Sequence, residues 1–279
     1  MSVGLPIGEL VTAPVVSEAD QGLYLRVAGE DVLLPGRLVP EGARVGDVLR
    51  VFVHTDSEDR PVLTTEEPAA LLGEFALLEV VDLSEHGAFL DWGLDKDLFA
   101  PFGEQVRKLA VGDRMVFRVC LDERTGRLFA ASRLAPHFDY DVSAVRAGDE
   151  VELLVYGQNE IGALVVVDGR HTGLVYRNEA FRPLRVGDAL TGWVKQVRED
   201  NKLDIRLQRS GRAAIDDAEE VILEALRAGG GWLALHDKSP PEQIRAELRM
   251  SKKAFKRALG GLYKARRVAL EEGGVRLLD

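Results

Sequence analysis

Tyr24 in GLYLRV and Phe89 in GAFLDW each lie on the polar side of an alternating stretch, sharing that side with Arg26 and Asp91 respectively. Strand side chains alternate, so the opposite sets form continuous apolar sides: Leu23, Leu25 and Val27 in one stretch, Ala88, Leu90 and Trp92 in the other. A ring held among polar groups can stack on an unpaired base, which contributes about 1–3 kcal/mol per base and tolerates any base sequence. It can equally pack against a neighbouring module, and spacing alone favours neither. Near the other end, from Arg245 to Arg267, nine basic residues stand against one acidic residue, Glu247, in a chain whose net charge is -10. Within that run Lys252, Lys253, Lys256, Arg257 and Lys264 are suited to holding phosphates. A charge run is commonly a solvated face; charges of one sign clustered on one helix favour an anionic partner.

Catalytic chemistry finds little support. His54, His86, His137, His171 and His236 are scattered, and His86 and His171 read as strand-surface groups. No nucleophile with its base, metal-ligand spacing or glycine-rich phosphate loop occurs. The expectation is a non-enzymatic protein with no cofactor and no metal. The lone Cys120 reads as core, and a single cysteine fits a reducing compartment. The first basic residue is Arg26 and no long apolar run follows, which predicts neither signal peptide nor membrane span and a cytoplasmic protein.

The elements that carry these residues form an internal repeat. Gly22, Gly87 and Gly162 each open an alternating stretch, and a Val-Gly-Asp box follows, its Asp 25, 26 and 26 residues after the glycine. A polar turn (DSEDRP, DERTGR, REDNK) and a short last strand (PVLTT, LFAAS, LDIRL) close each copy. Each copy reads as about five short strands, the size of an oligonucleotide-binding (OB-fold) barrel. On the strand after the box, Leu49, Val51 and Val53 face inward, as do Met115, Phe117 and Val119 and then Leu190 and Val194. Phe52, Arg118 and Trp193 face out, and packing against a neighbouring repeat is the preferred reading for Phe52 and Trp193.

After a polar bridge, RSGRAAIDDAEE, the period changes to that of a helix, with Val221, Ile222, Ala225 and Leu226 on one face and the glycines from Gly229 as its stop. Ser239 is expected to cap a second helix, with Glu242 placed for a capping box. A third helix starts at Ser251 with Met250 and Phe255 as a hydrophobic staple, and its core side is Phe255, Ala258, Leu259 and Leu262. Gly260 and Gly261 inside it suggest a close approach by another backbone, or a kink. Two strands around Gly273-Gly274 complete a winged helix. The fold class is thus mostly β and multidomain: three tandem five-stranded OB barrels at 1–67, 73–134 and 147–210, then a winged helix at 215–279.

The third copy, GALVVVDGRHTGLVY with RVGDALTGWVKQVREDNKLDIRL, resembles the S1 RNA-binding domain, and Tyr176 stands where that family has a histidine. The resemblance implies aromatic contacts at His86 and Phe89 in the second copy and at Tyr24 in the first, with Leu164 leaving the third platform incomplete. It also implies phosphate contacts near Arg60, Arg127 and Lys202, in the turn before each last strand. The second copy has LFAP in place of Gly-Leu-Val-His, and no copy has a full set of contacts, so weak binding per module and gain through linkage are expected. Three such units followed by SKKAFKRALGGLYK resemble the bacterial conserved virulence factor B family. That likeness implies RNA binding and post-transcriptional regulation of gene expression. The expected partner is single-stranded RNA. The alternatives are a DNA-binding regulator on duplex nucleic acid and a protein-docking role, for instance on the translation machinery, both acting through the winged helix.

Overall fold

The structure is a computed structural model that describes residues 4–180, 182–208 and 213–278. Its contacts divide the chain into two compact units, residues 1–139 with 154–156 and 186–188, and the remainder of 140–279.

The first module contains β1 (Leu10–Ala19), β2 (Gly22–Val27), β3 (Glu30–Pro35), β4 (Val48–Thr55) and β5 (Pro61–Thr64), closed as a barrel in the order β1-β2-β3-β5-β4. Leu23, Leu25, Val27, Val51 and Val53 fill it, as alternation requires. Two equivalent glycine turns start the β1–β4 pairing from its two ends. Gly8 donates its N–H to the Val53 carbonyl at 2.8 Å, and Gly46 of the Val-Gly-Asp box donates to the Val15 carbonyl at 2.9 Å. Both glycines have φ near +90° (88° and 96°), where a side chain is strained. Asp47 braces its turn by accepting the Arg44 N–H at 2.9 Å, as expected of the box.

The second module repeats the strands as β6 (Phe75–Leu83), β7 (Gly87–Asp91), β8 (Leu98–Pro101), β9 (Arg114–Asp122) and β10 (Arg127–Ala131), in the order β10-β9-β6-β7-β8. Here the expectation of a closed barrel needs correction: β8 and β10 lie side by side without ladder pairing, leaving a half-barrel. Buried Gln105 donates Nε2 to the Ala100 carbonyl of β8 at 2.9 Å.

Phe52 of β4 is fully buried, outside its own barrel, in the core of the second module, edge-on to Trp92 with 5.7 Å between centroids. The packing role expected for it is realised. Around it Lys96 donates Nζ to the Thr55 and Asp56 carbonyls at 3.1 and 2.7 Å, and Arg37 pairs with Asp95. His54, half-buried beside Phe52, is pushed down to a pKa of about 4, first by burial and then by the Lys96 ammonium, with Arg37 adding to the effect and Asp56 opposing it.

The third module is a closed barrel of β11 (Glu150–Gln158), β12 (Gly162–Val167), β13 (His171–Tyr176), β14 (Ala189–Val197) and β15 (Leu203–Arg206), with β13 and β15 parallel from Gly173↔Leu203 to Val175↔Ile205. His171 is buried at the start of β13, so it is not the strand-surface group expected.

Of the bridge, RSGR at 209–212 lies outside the described residues. AAIDDAEE is not bridge but the first half of α1 (Ala213–Ala228), followed by β16 (Trp232–Leu233), α2 (Pro241–Leu248), α3 (Lys252–Lys264), β17 (Val268–Glu271) and β18 (Gly274–Leu277). Ile222 and Leu226 are buried with Phe255, Ala258, Leu259 and Leu262, whereas Val221 is 37% exposed and lines a hollow with Trp193. Ser251 caps α3, accepting the Ala254 N–H at 3.1 Å, and Met250 and Phe255 are both buried. The cap of α2 is Pro240 rather than Ser239, because the Ser239 hydroxyl already accepts the His236 N–H at 3.0 Å. β16 adds a strand, unforeseen in the sequence, to the β17–β18 hairpin.

Truncation of Phe52 to Ala should cost about 3–5 kcal/mol in a denaturant titration, since it empties a site in the neighbouring core. Between pH 4 and 6.5 an unfolded chain takes up the His54 proton while the folded chain does not. Stability is therefore complete above pH 6.5 and falls as pH drops toward 4, by about 3 kcal/mol in all. His54→Gln should flatten that part of the stability–pH curve.

Candidate nucleic-acid interface

The third residue of the second strand of each module is the one that alternation turns outward: Tyr24, Phe89 and Leu164, all half-buried. A strand anchors each ring, so the stem is fixed and one part remains accessible. Tyr24 accepts a hydrogen bond from Gln21 Nε2 at 2.8 Å, and on the same side Arg26 pairs with Asp31 across the β2–β3 hairpin. Tyr176 ends β13, opposite Gly162, and donates its hydroxyl to the buried Asp204 carboxylate at 3.3 and 3.4 Å. Gln196 also donates to that carboxylate, at 2.6 Å. Lys195 Nζ stands 5.7 Å from the Tyr176 centroid, and its hydrogen bond to Glu179 at 2.8 Å raises its pKa. The third module therefore presents an oriented ring with a cation above it.

In the second module Phe99 of β8 lies directly opposite Phe89, ring centroids 5.3 Å apart. The LFAP segment thus supplies an aromatic of its own. His86 is 80% exposed at the side chain, 3.9 Å from Glu85, and its carbonyl accepts the N–H of Phe102, itself 48% exposed. Carboxylates fringe this platform. Asp82 pairs with Phe89 in the ladder and Asp91 shares its strand side. Asp97 is pushed up in pKa by burial and then by the charges of Asp91 and Asp82.

The residues expected to hold phosphates are engaged with acids. Arg60 pairs with Asp56 and Glu58 at 2.7 and 2.9 Å, Lys202 with Asp200 at 3.1 Å, and Arg127 reaches Asp59 of the first module. Exposed pairs of this kind contribute roughly 0–1 kcal/mol, so a phosphate can compete for the cation. On α3, Lys253, Lys256, Arg257 and Lys264 are exposed and Lys252 is half-buried. Asp237 lies 4.0 Å from Lys256, while Lys253, Arg257 and Lys264 make no ion pair with a described residue. Sequence reasoning missed a further hollow lined by Arg177, Arg182 and Arg245 beside Gln158 and Gly162. Arg177 and Arg182 come from the connection after β13 and Arg245 from α2, so no local pattern joins them.

Cys120 is buried 3.9 Å from His137 Nε2, and burial pushes its thiol up in pKa, the reverse of an activated nucleophile. Among the described residues no acid–histidine–cysteine cluster is built to hold a metal ion, and no helix is long and apolar enough to cross a membrane.

Residues 7–66 match the family profile "S1 domain", and residues 220–277 match "CvfB-like winged helix domain". The chain is 30% identical over 275 residues to the uncharacterized protein YitL of Bacillus subtilis, covering 95% of this chain and 92% of that one. The chain belongs to the conserved virulence factor B family. A member named conserved virulence factor B from Staphylococcus epidermidis is 24% identical over 89% of this chain and 87% of its own. A solved multidomain protein with nucleic acid binding domains from Streptococcus pneumoniae aligns over 98% of this chain and 99% of that one, at 25% identity and a TM-score of 0.43.

The matched domains of this family member are of nucleic-acid-binding type, and no catalytic family is among its matches. Asp82 and Asp91 crowd negative charge around Asp97 in the second module. Asp97→Asn should relieve this partly buried charge beside Asp91 and Asp82 and raise Tm at pH 7 by on the order of 1–2 °C. Because the folded Asp97 binds its proton more tightly than the unfolded one, the gain should shrink as pH falls through the Asp97 titration and vanish below pH 3.8, as thermal melts across pH would show.

Proposed function

We propose that this protein is a non-enzymatic binder of single-stranded RNA, in which Tyr24, Phe89, His86 and Tyr176 stack bases and the basic helix α3 anchors phosphates. The observation that carries the reading is the recurrence of a strand-anchored, half-exposed aromatic on successive OB-type modules, followed by a helix on which Lys253, Arg257 and Lys264 make no ion pair with a described residue. Stacking on such rings needs no base-specific hydrogen bond, which suits recognition of many transcripts. Each platform is incomplete: Leu164 replaces an aromatic in the third module, and acids surround the second. Affinity therefore comes from linking weak sites along one flexible strand. Carboxylates around the modules oppose the phosphates at long range, and α3 offsets that repulsion at one end. In the cell such a protein acts on gene expression after transcription.

Fluorescence anisotropy of a labelled pyrimidine-rich single-stranded RNA, titrated with the full chain across a salt series, tests this. Joint replacement of Phe89 and Tyr176 by Ala should weaken binding about tenfold or more. Joint replacement of Lys253, Lys256, Arg257 and Lys264 by Gln should lower the slope of log K against log salt by about 3. Equal affinity of the aromatic variant and the natural chain would overturn the stacking role. A preference for duplex DNA would replace the whole reading with that of a DNA-binding regulator.

A further inference from the structure

α3 has an outer face that its charges do not fully explain. Buried Phe255, Ala258, Leu259 and Leu262 fix the rotation of the helix. Lys253, Lys256, Arg257, Gly260, Tyr263 and Lys264 therefore share the solvent side. Tyr263 is 54% exposed; its carbonyl accepts the Arg266 N–H at 3.0 Å, while among the described residues none makes a ring contact with it or a hydrogen bond to its hydroxyl. Leaving a tyrosine ring in water forfeits burial that the adjoining core could have provided.

Gly260 is more telling. Glycine is a poor residue for a helix interior, second only to proline. At the neighbouring Gly261 a Cβ would stand 2.0 Å from Glu219 Oε1 on α1, the end of a side chain that can turn aside, and no backbone of another element lies within 4 Å. A Cβ on Gly260 would meet nothing within 4 Å, and its φ is not positive. Neither a kink nor an approaching backbone of the same chain accounts for it, because α3 runs unbroken from Lys252 to Lys264. Space is kept open at one point of an exposed face, one helical turn from an exposed ring, with Lys256 and Arg257 on one side and Lys264 on the other.

We infer that this face seats one nucleotide of single-stranded RNA, with its base stacked on Tyr263, its sugar–phosphate against the bare helix backbone at Gly260, and its flanking phosphates held by Lys256, Arg257 and Lys264. This rests on the RNA-binding reading and adds a stacking site on the winged helix, outside the barrels. The positive charge selects a polyanion, and the ring selects one with unpaired bases, because a paired base in a duplex groove offers its edge rather than its face.

Two substitutions separate this from a structural role. Gly260→Ala fills open space with the best helix former, so it should raise Tm by a few degrees. At the same time it should weaken binding of the pyrimidine-rich single-stranded RNA about five- to tenfold. Tyr263→Ala should weaken binding about tenfold, and Tyr263→Phe should stay within about twofold of the natural chain. A gain in stability coupled to a loss of affinity is not expected of a glycine that serves the fold. If Gly260→Ala and Tyr263→Ala bind RNA like the natural chain while the four-cation variant binds less, α3 is an electrostatic anchor only; this inference falls and the RNA reading stands. If Tyr263→Ala weakens a duplex of the same length as much as the single strand, the ring is not reading an unpaired base and the inference falls. If the natural chain binds no RNA at all, both fall together.

Discussion

Each five-stranded module depends on the antiparallel pairing of its first and fourth strands, and a glycine turn starts that pairing from each end. The exchange seen at Gly8 and Gly46 recurs at Gly73 and Gly112, and at Gly148 and Gly187, each donating its N–H to the partner strand at 2.8–2.9 Å. All six adopt positive φ, between 85° and 101°. With both ends fixed, the register cannot slip by one residue, and a slip would exchange the inward and outward faces of the whole strand. Val51 and Val53 stay inside because of that constraint, and Phe52 stays outside. The same alternation, carried to the second strand of each module, turns Tyr24 and Phe89 outward as rings held by buried neighbours.

The outward residues then serve different ends. Phe52 is consumed in joining the first module to the second, where it takes a place in a foreign core. Lys96 and Arg37 add polar contacts around that joint, and His54 is held neutral within it. Tyr176 is oriented by Asp204 and overlaid by Lys195, which gives the third module a ring and a nearby cation on a common face. Around Phe89 the local charge is acidic. Burial of aromatics and placement of charge are thus divided unequally among modules built on one plan.

The winged helix completes the division. Its core of Ile222, Leu226, Phe255, Leu259 and Leu262 needs only one side of α3, and the positive charge is carried by the other. The modules have carboxylates close to many of their cations, as at Arg60, Lys202 and Arg127, whereas Lys253, Arg257 and Lys264 have none among described residues. An acidic protein with one uncompensated basic face attracts an anionic chain at that face and repels it elsewhere.

Much of this was readable in the sequence, since the features concerned are local and periodic. Alternation assigned Leu23, Leu25, Val27, Ala88, Leu90 and Trp92 to the cores. Helical spacing assigned Phe255, Ala258, Leu259 and Leu262, and the Ser251 cap follows from residues a few positions apart. The repeat of glycine and Val-Gly-Asp announced the modules, because each turn requires the same backbone geometry. Tertiary structure alone decided which groups meet across long separations. It engaged Arg127 with Asp59 and Lys96 with Asp56, buried His171, exposed Val221 and left open space above Gly260. None of these has a period, since a partner tens of residues away leaves no mark on the residues next to either group.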